Sequence, residues 1–197
     1  HLDQSFNEET VQIQKELFSI GQILVKQKKV QTLFMEGEIA GKRVYQQYID
    51  HLRQYISTFD ETFLSSRPEA DILLGLYYPF LQFLGTEDQQ LYANHVEALL
   101  LEPQDKQLSL YLGMLRSYAI LTNIPPQLQG TNALCMVGIS HIDEMIFYLE
   151  QKKFLAIREV IKGQPVFEER RVNFPYENLG YGVTVIIPRS LENYLLT

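Results

Sequence analysis

The sequence predicts an α/β domain, a mostly parallel sheet flanked by helices, and three observations lead there. Short uncharged apolar runs recur at 30–35 (VQTLFM), 80–84 (FLQFL) and 133–137 (ALCMV). Each is too short for a packed helix and reads as a strand buried on both faces. Segments of helical periodicity stand between them, and alternation of the two element types implies parallel strands joined by helices. Each run also ends in turn or charged residues: Glu36-Gly37-Glu38, Gly85-Thr86-Glu87-Asp88 and Gly138. In an open parallel sheet, ligands bind at that end of the strands.

The elements follow in order. Ser5 and Glu8 have the spacing of a capping box, and Val11, Leu17, Phe18, Gly21, Leu24 and Val25 recur at helical spacing, so a helix is expected over about 6–27. The 30–35 strand follows. Val44, Tyr45, Tyr48, Ile49, Leu52, Tyr55, Ile56 and Phe59 form the stripe of a second helix, with His51 off it. Residues 65–68 break the chain. A short helix over 69–78 ends before Pro79, and the 80–84 strand comes next. Helices are expected over 87–101 and 105–122, the second ended by Pro125-Pro126. The 132–138 strand leads through a tight turn into a helix over 142–151. Residues 154–161 (FLAIREVI) and 183–187 (VTVII) read as strands. Between them, 163–182 reads as a polar loop carrying Glu168, Glu169, Glu177, Arg170 and Arg171, and a short helix from Ser190 closes the chain.

Composition narrows the function. The 197 residues suffice for one sizeable domain, and no linker or internal repeat divides 1–197. A net charge of −7 offers no basic footprint for nucleic acid. No apolar run approaches the ~18 residues that span a bilayer, and no signal peptide is visible, which favours a cytoplasmic location. The single cysteine, Cys135, lies inside an apolar run and reads as a buried small hydrophobe. There is no GxSxG elbow, P-loop or GxGxxG, so nucleophilic serine chemistry and nucleotide binding have no support.

Four positions carry candidate chemistry. His141, in Gly138-Ile139-Ser140-His141, stands in the turn after a strand, where an imidazole can exchange protons near neutral pH. Glu36 follows a buried strand, where a carboxylate needs water or partners because burying a lone charge is costly; Glu38 competes for that role. Glu87 follows the second strand, where Thr86 or Asp88 is placed to cap the next helix. Arg116 lies beside a buried helical stripe and wants a carboxylate or a ligand anion. His95 reads as structural or exposed.

Taken together, a strand ending in glutamate (VQTLFME, Glu36) and a late GxxH (Gly138 to His141) resemble the TraB/Tiki and erythromycin-esterase/ChaN-like superfamily. His1 stands one helix before Glu36, where the histidine of that family's first motif would fall, so the family's first strand would lie upstream of His1. Residues 85–92 (GTEDQQLY) and 116–119 (RSYA) are similar to further segments of these proteins. The resemblance implies a hydrolase acting on a small-molecule or peptide substrate. In its Tiki branch it implies a divalent metal (Mn, Co or Zn) held by His1, Glu36 and His141, with Glu87 as base and Arg116 on substrate or oxyanion. In its erythromycin-esterase branch it implies a histidine that, activated by a carboxylate, deprotonates water without metal. The ChaN-like branch implies instead a non-catalytic protein that binds a ligand or haem.

Overall fold

The computed structural model describes residues 8–55, 69–100, 106–128, 131–142, 144–145, 155–161, 164–168, 172–173, 182–183 and 186–191. His1, the Ser5 cap and the 65–68 break lie outside them, as does most of the helix expected over 142–151, of which 142, 144 and 145 are described as helical.

Helix α1 (Glu8–Lys28) leads into β1 (Thr32–Ile39). Then come α2 (Val44–Tyr55), α3 (Ala70–Tyr77), β2 (Gln82–Glu87), α4 (Gln89–Leu100), α5 (Lys106–Asn123) and β3 (Ala133–Met136). The three strands form one parallel sheet in the order β2-β1-β3. Thr32 lies level with Gln82 and Ala133, and Met35 with Gly85 and Met136. The fold is α/β, as the alternation of elements predicts.

The uninterrupted apolar run of β1 has a direct cause. Leu33, Phe34 and Met35 are consecutive and all buried, and successive strand side chains leave opposite faces of a sheet. Leu33 and Met35 pack with Phe83, Val25, Ile49, Ile72 and Leu74, whereas Phe34 packs with Ile120, Leu121, Ile124 and Met145. Each face thus has its own core, and burying a side chain of this size stabilises the fold by about 1.5–3 kcal/mol. Helix α3 is apolar nearly all round because it is enclosed, with Ile72 to Leu76 all buried.

Beyond Met35, β1 is irregular. Its register against β2 shifts between Met35 and Ile39, and Gly37 has a φ of +83°. Gly85 of β2 lies directly against the carbonyl oxygens of Glu38 and Ile39, where a Cβ would collide with backbone. The positive φ and the close approach both call for glycine, and together they let β1 kink where the strands end.

The C-terminal part departs from the expectation. Residues 163–182, read as a polar loop, contain β5 (Gln164–Glu168), β6 (Val172–Asn173) and the first residue of β7 (Gly182–Val183). Strand β5 pairs antiparallel with β4 (Leu155–Ile161), and β6 pairs antiparallel with β7. The strand expected over 183–187 is divided between β7 and β8 (Ile186–Ile187), and β8 lies parallel to β4. These strands form two small sheets apart from β2-β1-β3. Only two residues separate β4 from β5, the second of them Gly163, which is the spacing of a tight hairpin rather than of a crossover. No helix among the described residues is long and apolar enough to cross a membrane.

Candidate functional site

Because β1, β2 and β3 are parallel, their C-terminal ends share one edge of the sheet, and each end delivers one titratable side chain. Glu36 stands on β1 just before the kink, Glu87 is the last residue of β2, and His141 ends the 3-10 turn Ile139–His141 after β3. The His141 backbone N–H closes that turn on the Gly138 carbonyl at 3.0 Å. Arg116 reaches the same place from α5. The structure therefore gathers Glu36, Glu87, Arg116 and His141, four of the five residues singled out in the sequence; the fifth, His1, is outside the described residues.

The guanidinium is the hub. Arg116 Nε donates to Glu87 Oε2 at 3.0 Å and Nη2 to Glu87 Oε1 at 2.7 Å, a two-pronged pairing that suits the planar fork of arginine. Nη2 also donates to Glu36 Oε1 at 3.2 Å, and Nη1 to His95 Nδ1 at 3.0 Å. The ring of Tyr92 lies against the guanidinium carbon, 5.0 Å from centroid to Cζ. Side-chain exposure is 0% for Glu87 and 9% for both Glu36 and Arg116. Burial opposes the arginine charge, yet the hydrogen bond and charge of Glu87, with the charge of Glu36, outweigh it and hold Arg116 above the ordinary arginine value.

The carboxylates are further held by backbone. Glu87 Oε1 accepts the Gly37 N–H at 3.0 Å, and Glu36 Oε2 accepts the Gly138 N–H at 2.5 Å. His141 Nε2 lies 3.1 Å from Glu36 Oε1, and its Nδ1 lies 2.8 Å from Ser117 Oγ. An ionised carboxylate only accepts, so Nε2 carries a proton. The Ser117 hydroxyl is also 3.1 Å from the Gly113 carbonyl and has one proton to give. When that proton goes to Nδ1 the imidazole is neutral; when it goes to the carbonyl, Nδ1 holds a proton of its own. Ser117 is 0% exposed, so it supports His141 rather than meeting a substrate.

Neighbouring residues resolve the alternatives left by the sequence. Glu38 Oε1 accepts the Tyr45 N–H at 2.6 Å and so serves the start of α2. Asp88 Oδ1 accepts the Leu91 N–H at 2.8 Å and caps α4. Thr86 does not cap: it is fully buried, and its hydroxyl donates to the Met35 carbonyl at 3.0 Å. His51 is exposed. Of the two roles open to His95, structural or exposed, the structural one holds, since it is buried; Tyr92 and Ser117 carry no signal in the sequence that marks them for the site. Tyr92 and His95 are three apart on α4 and so share a face, but that this face meets Arg116 is set by the packing of α4 against α5.

Among the described residues no group of three or more His, Cys, Asp or Glu side chains is placed to hold a metal ion. The place between the Glu36 and Glu87 carboxylates, where a cation would sit, is taken by the Arg116 guanidinium. Of the ligand set that the Tiki-like resemblance implies, Glu36 and His141 lie in contact and His1 is outside the described residues. Comparison with known proteins returns no match, whether to a family model, a curated protein or a solved structure.

Proposed function

We propose that the chain is a hydrolase that works without metal, with Glu36 as its general base and His141 as the group that holds and charges that base. The observation that carries this reading is the 3.1 Å contact of His141 Nε2 with Glu36 Oε1, made across 105 residues at the C-terminal edge of the sheet. Both imidazole nitrogens have partners, so the group left to take a proton from water is the carboxylate. Its Oε1 is engaged by His141 and Arg116, and its Oε2 accepts the Gly138 N–H, which fixes the carboxylate at the edge of the sheet. In this scheme water gives a proton to Glu36 Oε2 as its oxygen bonds to an ester or amide carbonyl carbon. The same proton then passes to the leaving group as the carbonyl bond to it breaks. Arg116 and His141 keep Glu36 ionised beforehand, and Glu87 keeps Arg116 in place. The erythromycin-esterase-like branch of the resemblance also implies a metal-free histidine–carboxylate pair, but there the histidine takes the proton, whereas this scheme gives that role to Glu36.

The test is hydrolysis of a panel of activated esters and short peptides by purified protein treated with a chelator. Glu36→Gln keeps the shape of the side chain and is expected to lower the rate roughly 10²–10⁴-fold, with His141→Ala lowering it comparably. If Glu36→Gln turns over at the wild-type rate while retaining native near-UV circular dichroism, Glu36 is not the base. Activity that is lost on chelation and restored by one divalent ion would return the metal-dependent reading.

A further inference from the structure

We propose that His95 is the positioning residue of Arg116, and that it fills this role only as a neutral imidazole carrying its proton on Nε2. Arginine has donors and no acceptor, so the 3.0 Å contact between Arg116 Nη1 and His95 Nδ1 requires a bare lone pair on Nδ1. His95 is buried on α4, which leaves little room for water to replace it. The opposite side of its ring lies against α5, where Gly113 carries no side chain: a Cβ there would stand 3.4 Å from Nε2. Tyr92, one turn earlier on α4, covers the guanidinium face. One helix thus fixes both the edge and the face of Arg116, and the two Glu87 bonds fix its opposite edge. Without His95, Nη1 loses this acceptor, and of the bonds that remain to the carboxylates the Glu36 bond, the longest at 3.2 Å, is the one a small tilt of the guanidinium breaks first.

Among the described residues, the charged and titratable groups gathered here include Arg116 from α5, Glu87 from β2, Glu36 from β1, His141 beyond β3 and Tyr92 on α4 itself. A proton on Nδ1 would remove the acceptor and set an imidazolium against the guanidinium. The folded site therefore refuses a proton that the unfolded chain takes up near the ordinary imidazole value of ~6.5. The unfolded state then binds more protons, and stability falls as the pH drops through that range. That this tuning governs catalysis rests on the hydrolase reading; the positioning itself does not.

The experiment follows the side chains rather than turnover. Long-range nitrogen–proton NMR spectra of the full chain at pH 7 should show His95 with an unprotonated Nδ1 and a protonated Nε2. His95→Asn puts an amide oxygen, which does not titrate, near the place of Nδ1. It should keep the Arg116 Nη1 protons slow to exchange, and His95→Ala should speed their exchange. Between pH 7 and 5 the wild-type Tm should fall by at least ~3 °C more than that of His95→Asn. A protonated Nδ1 at pH 7 overturns the proposal. So does equal behaviour of the Asn and Ala variants, or a pH profile of His95→Asn that matches wild type. None of these outcomes depends on a substrate, so a failed hydrolase reading would be recognised separately.

Discussion

Replacing Arg116 by Met tests whether the site is held together by its one guanidinium. Methionine fills much of the volume but leaves Glu87, with 0% exposure, and Glu36, with 9%, facing each other without a cation between them. The change deletes three charge-assisted bonds to carboxylates, at 2.7, 3.0 and 3.2 Å, and the bond to His95. Removing one partner of a buried ion pair costs about 3–5 kcal/mol, because the stranded charge can regain neither its partner nor water. At roughly 2–4 °C per kcal/mol for a chain of this size, Tm should drop by about 6–20 °C. A second change separates the lost pair from lost packing. Glu87→Gln added to Arg116→Met removes the stranded charge while its amide oxygen can still accept the Gly37 N–H. Part of the loss should return, with a coupling of about 0.5–3 kcal/mol in the double-mutant cycle. Lowering the pH from 7 to 5 should also narrow the gap to wild type, since protonating a stranded carboxylate relieves it. A single-mutant loss under about 1 kcal/mol, or strictly additive changes, would refute the account, because exposed pairs behave in that way.

Two further outcomes follow from the same edge of the sheet. Burial, with the charges of Glu36 and Glu87 behind it, pushes the half-buried Cys135 thiol up to about 12. At pH 8 a disulfide reagent should therefore label native protein roughly 10³-fold more slowly than denatured protein. The raised value also means that this contribution to stability is intact below the unfolded thiol value of ~8.5 and is lost as pH climbs towards 12; equal labelling rates would refute it. Gly85→Ala drives a Cβ into the Glu38 and Ile39 carbonyls and should cost about 1–3 kcal/mol, read as a lower Tm. An unchanged melt would mean that the kink in β1 can open without penalty.

The parts legible in the sequence are those in which local chemistry and fold agree. The run from Leu33 to Met35 announces a two-faced strand because both faces carry cores. Glu36, Glu87 and His141 could be read because each follows a strand end, and a parallel sheet collects its strand ends on one edge. What pairs with what could not be read this way. Arg116 was expected to seek a carboxylate or an anion, but its choice of Glu87 and His95, 29 and 21 residues away, is set by how α4 and α5 pack over the sheet. Strand β6 is only two residues long, too short for alternation to emerge from a charged segment.

Glu36 and Glu38 show most plainly why local pattern falls short. They are two apart on β1, so an ideal strand would send both side chains to the same face, and the sequence alone offers no reason to prefer one. Gly37 stands between them with a φ of +83°. That one torsion turns the chain, and the two carboxylates part: Glu36 towards Arg116, His141 and Gly138, and Glu38 towards the first turn of α2. The same torsion brings the Gly37 N–H to Glu87 Oε1, so the residue that separates the two acids also fastens the third. The assignment of Glu36 to the site is therefore a property of Gly37 and of the Gly85 backbone pressed against the kink, rather than of either glutamate.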